Sequence, residues 1–292
     1  MTHFTRDELD RLARTPEQEM ADALADGPAA ARATYDAVER RFRGGLRGFA
    51  RWEAGSLAAL AAAAAVEPGA VDRLQALATT EAWRIAAHNG VTAGDEAVVT
   101  ARHGEAIEAS ASDTTDAAAA LALYRRIEGS FLRLHDAHRD TVSAIWSALH
   151  EVAGREGLEA CLRRLADETL LVWMARDLPL PFEDRVREWA TVLTANFARV
   201  RIDEHPDRVT FVQDPCGTCT RQILDAGDPL PAIAPWAPVQ VGHDDVPLYR
   251  AHVGLMHWLM PTERLGHPWP EIRCPTGSGT GPCRIDLLRT PA

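Results

Sequence analysis

Residues 200–219, VRIDEHPDRVTFVQDPCGTC, decide the fold. Val200-Arg201-Ile202-Asp203 alternates apolar and polar side chains. His205-Pro206-Asp207 supplies a turn, and Val209-Thr210-Phe211-Val212 supplies the β-branched and aromatic residues of a second strand. The hairpin delivers the chain into Asp214-Pro215-Cys216-Gly217-Thr218-Cys219. Upstream of it the pattern is helical. Ala, Leu, Arg and Glu recur at helical spacing over 7–25, 29–53, 55–65, 70–88, 116–153, 156–176 and 182–199. Asp26-Gly27-Pro28, Pro68-Gly69 and the Pro179/Pro181 stretch interrupt them. The polar, glycine-spotted stretch 89–115 reads as a loop with at most one short helix. Downstream come a proline-rich loop (Pro229, Pro231, Pro235, Pro238, Pro247), a short helix over 248–260 stopped by Pro261, and a second hairpin. That hairpin pairs 271–274 with 283–288 around the glycine-rich loop 275–282. The fold class is therefore α+β, with a mainly helical N-terminal two-thirds and a small antiparallel-sheet α+β unit at the C-terminus. The organisation expected is a helical region over 1–155 and an α+β region over 156–292.

The helical region carries a faint internal repeat. Residues 29–42 match 118–131, with Tyr35 on Tyr124, Glu39 on Glu128 and Phe42 on Phe131. Two related helical hairpins would follow. His135, Asp136 and His138 stand in the second copy, where the first has Leu46, Arg47 and Phe49.

Composition excludes several functions. The 31 basic residues are all Arg. Without Lys there is no Schiff base, no PLP attachment and no phosphate-loop lysine, so neither a nucleotide cofactor nor PLP is expected. The net charge of −11 repels phosphate backbones and anionic lipids, and no basic patch offsets it. Neither nucleic acid nor membrane is an expected partner. No apolar run is long enough to span a bilayer, and the first residues lack a secretion-signal pattern, so a cytoplasmic location is expected. A small-molecule ligand and a homodimeric partner remain.

Four of the five cysteines fall after residue 210. Cys216 and Cys219 form a Cys-x-x-Cys turn, in which two thiolates converge while intervening amides point at the sulfurs. Cys274 and Cys283 flank the last loop and would meet across its hairpin. His252 and His257 lie between the pairs. They are five residues apart, so on a regular helix at most one faces the cluster. The metal-ligand set read from this pattern is Cys216, Cys219, His252, Cys274 and Cys283, with zinc or another transition metal as cofactor. Four thiolates would make a closed structural site; Cys216, His252 and Cys283 with water would make a catalytic one. Asp214 and His135 are the candidate catalytic residues. Arg221, Arg250 and Tyr249 are the candidate substrate-binding residues. Cys161 reads as a core thiol. An independent site on the bundle would use Glu128, His135 and His138, although the Glu-x-x-His and His-Glu-x-x-His patterns are absent. Trp236, Trp258 and Trp269 read either as a wall of an apolar pocket or as packing.

Asp214-Pro215-Cys216-Gly217, Tyr249 to His252, Cys283-Arg284 and the helical stretch with His135-Asp136 together resemble a loosely defined bacterial group. It is similar in outline to aminothiazoline-carboxylate hydrolase-like proteins and to vinyl-reductase-type ligand-binding domains. The resemblance implies a small-molecule site around Cys216, His252 and Cys283. Cys219 stands where that pattern has a small residue. The function expected is a zinc-dependent enzyme that hydrolyses or lyses a C–N or C–S bond in a metabolite, in secondary metabolism. The alternatives are a ligand-binding or sensing module with a structural four-cysteine zinc, and the helical-bundle enzyme.

Overall fold

The computed structural model describes residues 3–66, 69, 72, 90–112, 117–226, 232–233, 246–275 and 280–289. Most of the expected helix 70–88, most of the proline-rich loop with Trp236, and the middle of the glycine-rich loop lie outside the described residues. The helical part comes first, and a small antiparallel sheet near the C-terminus follows.

The helical boundaries follow local chemistry. Thr5 caps α1 (Arg6–Leu12) through a capping box with Glu8. The single helix expected over 7–25 is divided, because Thr15 accepts from the Gln18 amide and Pro16 opens α2 (Pro16–Asp26). The two helices expected over 29–53 and 55–65 are one, α3 (Pro28–Ala64). The stretch expected as a loop holds two short helices, α4 (Ala93–Thr100) and α5 (Gly104–Ser112). Thr92 caps α4 in a box with Asp95, and Ser130 and Arg133 bind that buried carboxylate. α6 (Ala117–Glu168) bends at Gly154, whose φ of 64° and ψ of −167° fall outside the helical region. This is the break expected between 153 and 156. α7 (Leu170–Asp177) and α8 (Phe182–Ala195) complete the helical part.

A second short likeness lies outside the residues matched above. Ala13-Arg14-Thr15-Pro16-Glu17 corresponds to Ala101-Arg102-His103-Gly104-Glu105. α1, α2 and α3 therefore follow the same short, short, long order as α4, α5 and α6. The two long helices run parallel. Phe42 meets Phe131 (5.3 Å between centroids), Phe49 meets His135 (4.9 Å), and Ser56 accepts from Trp146 (2.8 Å). Each copy repeats a Tyr–Glu hydrogen bond, Tyr35 to Glu39 and Tyr124 to Glu128.

The sheet has the order β1-β2-β6-β5, all antiparallel. Its strands are β1 (Val200–Glu204), β2 (Arg208–Gln213), β5 (Glu271–Arg273) and β6 (Cys283–Leu288). One cross-strand row, Ile202–Phe211–Ile285–Ile272, spans all four strands and is buried throughout. Each such side chain contributes roughly 1.5–3 kcal/mol on burial. A two-stranded ladder pairs β3 (Ala232–Ile233) with β4 (Val246–Pro247). The main hydrophobic cluster runs from Phe4 and Phe49 through Trp146 to Leu287, crossing residue 155.

The α7–α8 turn carries a buried charge. Asp177 is 0 % exposed, and neither carboxylate oxygen has a hydrogen-bond partner among the described residues. Burial pushes its carboxyl up to about 6, although Arg185 pulls the other way. Between about pH 4 and 6 the folded state holds a proton that the unfolded chain has released, so stability falls as pH rises through that window and the penalty is complete above 6. Asp177→Asn is expected to stabilise the protein by about 1–2 kcal/mol at pH 8. The gain should fade as pH drops through 6 toward 4.5. Melting temperatures of both proteins across that range check it; a gain independent of pH would refute the assignment.

Candidate functional site

The site is built where β2 leaves the sheet. Gln213, its last residue, pairs with Cys283, the first of β6. Asp214-Pro215 follows with a cis peptide bond, and then Cys216 and Gly217. A Cβ at Gly217 would lie 1.9 Å from the Asn196 carbonyl oxygen, so only glycine fits there. The wall it packs against is itself unusual. Phe197 has φ 59°, and its ring stacks on Phe42 at 4.6 Å.

Helix α9 (Cys219–Ala226) starts immediately after this turn. The Thr220 amide donates to the Cys216 sulfur at 3.4 Å, and the Thr220 hydroxyl stands 3.8 Å from the Cys283 sulfur. Cys283 and Cys274 meet across the β5–β6 pair, one position beyond Arg273 and Arg284. Cys216 interacts with Cys219 and Cys283, and Cys283 with Cys274. All four cysteines are free; Cys274 is partly exposed and the others are buried. Cys216 is held well below the ordinary thiol range by hydrogen bonds from Cys219 and Cys283, and then by the Thr220 and Thr218 amides. Cys274 is lowered by Cys283 and by the Arg250 guanidinium. Cys219 and Cys283, the donors, are raised. Arg250 is 4 % exposed; its charge is opposed by burial and favoured by all four thiols. Among the described residues, no group of three or more His, Cys, Asp and Glu side chains is disposed to hold a metal ion as it stands.

His252 belongs to an irregular helical run. A 3-10 turn (Leu248–Arg250) leads into α10 (Ala251–Val253), a π turn (Gly254–Leu259) and α11 (Met260–Leu265). Pro261 does not stop this helix, contrary to expectation. The His257 carbonyl, which a proline cannot serve, accepts instead from the Trp269 amide at 2.9 Å. The π turn also removes the regular-helix argument that turned His252 and His257 apart, and both are buried. Burial lowers His252 to about 4, so it is neutral, and its Nδ1–H donates to the Tyr249 carbonyl. Its ring lies edge-on to Trp52 (5.4 Å) and Tyr249 (4.8 Å), while Tyr249 stacks on Trp146 (5.5 Å). His257 is lowered to about 3 by burial and packs in a separate cluster with Trp173, Trp189 and Trp269.

The other candidate residues divide. His135 and Arg221 come together on the opposite face of α9. The Asn196 side-chain amide nitrogen donates to the Val192 carbonyl, which leaves its oxygen to accept from His135 Nε2–H at 3.0 Å. Burial lowers the His135 pKa, and its Nδ1 lies 2.9 Å from the Asp136 carboxylate and 3.1 Å from the Arg221 guanidinium. Arg221 also binds Asp136 and the Phe197 carbonyl. Asp136 is buried, yet His135, Arg139 and Arg221 hold its carboxyl well below the usual range. Arg139, fully buried, binds Asp140 and pairs with Asp136 and Asp225; Gln222 donates to Asp140. The guanidinium proposed as a substrate clamp is thus an internal tie between α6 and α9. Asp214 is exposed, unlike the thiols beyond it. Glu128, His135 and His138 take three different partners, Tyr124, Asn196 and Glu53. Burial raises Glu128 to about 7.

Arg139, Asp140 and Gln222 escaped the sequence reading, and Asp136 entered it only as the neighbour of His135. The signal was present: Phe131, His135, Arg139, Val142 and Trp146 share one helical stripe, so the charges interrupt an apolar face. Comparison of the chain with family models, with curated proteins and with solved structures returned no match.

Proposed function

We propose that Cys216, Cys219, Cys274 and Cys283 bind one thiophilic metal ion, zinc first, as a closed four-thiolate centre in a ligand-binding or sensing module. The observation that carries this reading is the meeting of four thiols from three chain segments around the buried Arg250 guanidinium. Arg250 also donates to the Pro275 carbonyl, and neutral thiols, three buried and one partly exposed, complement its charge less well than thiolates do. Four thiolates on a dication leave a net negative centre that Arg250 complements. The Thr220 amide on Cys216 adds the hydrogen bond that such turns offer to a bound thiolate. Loading requires the thiol side chains to rotate toward a common centre. Reduced thiols fit a cytoplasmic location.

A second reading keeps the metal but opens the site, with Cys216, His252 and Cys283 as ligands and a water as nucleophile on a C–N or C–S bond of a small metabolite. His252 favours it. Its Nδ1–H is fixed on a backbone carbonyl, which leaves Nε2 with the lone pair a metal needs. On the first reading, protein isolated without added metal or chelator carries about one zinc per chain. Cys216→Ser and Cys283→Ser each lose it, whereas His252→Ala retains it and an all-thiolate cobalt spectrum. Loss of metal in His252→Ala would transfer the conclusion to the catalytic reading. Folded protein with no metal and with reactive thiols would end both.

A further inference from the structure

We propose that Cys274 and Cys283 form a reversible cross-strand disulfide when the protein meets a hydroperoxide. β5 and β6 pair antiparallel, and their last registered pair is Arg273 with Arg284. One step outward along both strands stand Cys274 and Cys283. Residues opposite each other in an antiparallel pair hold their Cβ atoms about 4.5–5.5 Å apart, close to what a disulfide spans. The two thiols are near enough to interact electrostatically, each shifting the other. Cys274 is also the one member of the cluster that is partly exposed, so a small oxidant reaches it first. Cys216 and Cys219 are both buried, one in the turn locked by Gly217 and one at the first residue of α9.

The chemistry balances as follows. The Cys274 thiolate attacks the hydroperoxide, the O–O bond breaks, and the sulfur becomes a sulfenic acid while the departing alkoxide or hydroxide takes a proton. The Cys283 sulfur then attacks the Cys274 sulfur and expels hydroxide, which leaves as water. Two thiols and one hydroperoxide give one disulfide, one alcohol (or water) and one further water. If the four thiols hold a metal, this bond removes two ligands and releases the ion. That last consequence rests on the four-thiolate reading; the disulfide itself does not.

The test treats the full chain, as isolated and after chelation, with hydrogen peroxide. Remaining thiols are then alkylated, and disulfides are mapped by mass spectrometry of unreduced digests. The Cys274–Cys283 link is expected as the first product in both samples and should disappear on treatment with a dithiol. Zinc, where present, should leave in step with it. Cys274→Ser should slow thiol loss by about an order of magnitude, and Cys161→Ser should leave the rate unchanged. A first bond between Cys216 and Cys219, or oxidation of Cys274 to sulfinic acid without any disulfide, would overturn the proposal. The expected bond in protein that never carried metal would support the switch and overturn the metal reading.

Discussion

Replacing Asp136 with alanine is expected to cost about 3–5 kcal/mol of folding stability, because it leaves the Arg221 guanidinium without its carboxylate and takes one of three acids from Arg139. Asp136 stands between Arg139 and Arg221 and touches His135. Arg139 is fully buried and Arg221 nearly so. Arg139 keeps Asp140 and Asp225, but at Arg221 water can replace the lost carboxylate only by opening the contact between α6 and α9. For a chain of this size the loss corresponds to a fall of roughly 8–15 °C in melting temperature. Asp136→Asn retains the shape and part of the hydrogen bonding, so its cost should lie between the wild type and alanine. The pair Asp136→Ala and Arg221→Leu should be less damaging together than the sum of the two alone, with a coupling of about 1–3 kcal/mol. Denaturant melts of the four proteins give that coupling directly. An Asp136→Ala cost below about 1 kcal/mol would mean that the network is hydrated and not structural. It would also return Arg221 to the list of groups that can meet a substrate.

That network shows where sequence reasoning stops. The hairpin over 200–213 could be read residue by residue, because alternation and turn chemistry are local. The β5–β6 pair and the meeting of Cys274 with Cys283 followed from the same kind of signal. The breaks at Gly27-Pro28 and Gly154 were equally local. Short helices such as α4 and α9 carry few periods, and only the Thr92–Asp95 capping box announces α4. The π turn depends on Trp269, twelve residues away, taking the carbonyl that Pro261 leaves unserved. Burial of charge was the hardest to see. Asp136, Arg139 and Asp140 have the composition of a solvated helix face, and only the packing of α9 against that face makes them internal. In the same region Arg221 pairs with Asp136, and Arg250 stands among the thiols.

The second large effect is expected at Gly217. Gly217→Ala places a methyl 1.9 Å from the Asn196 carbonyl oxygen and 2.8 Å from its carbonyl carbon, with the Ala198 nitrogen at 3.0 Å. All three are backbone atoms, so no rotamer relieves the clash. Either the Asp214–Cys219 turn lifts from the 196–198 segment, or that segment moves with Phe197, which already holds a left-handed conformation. Both routes cost about 3 kcal/mol or more, at the upper end for overpacking. The two routes leave different traces. If the turn lifts, Cys216 loses the Thr220 amide and its contact with Cys283, and native-state thiol reactivity should rise from mainly Cys274 to three or four groups. If the 196–198 segment moves, the His135–Asn196 hydrogen bond breaks instead, and the thiols stay protected. Alkylation of the native variant, mapped by residue, separates these outcomes. The first is expected, since Phe197 is pinned by Phe42 and its carbonyl by Arg221, whereas past the Asp214 amide, which donates to the Arg199 carbonyl, the turn is held by the contacts of its cysteines. A variant as stable as the wild type, with unchanged thiol protection, would show that the close approach of Gly217 to Asn196 does not hold the cluster together.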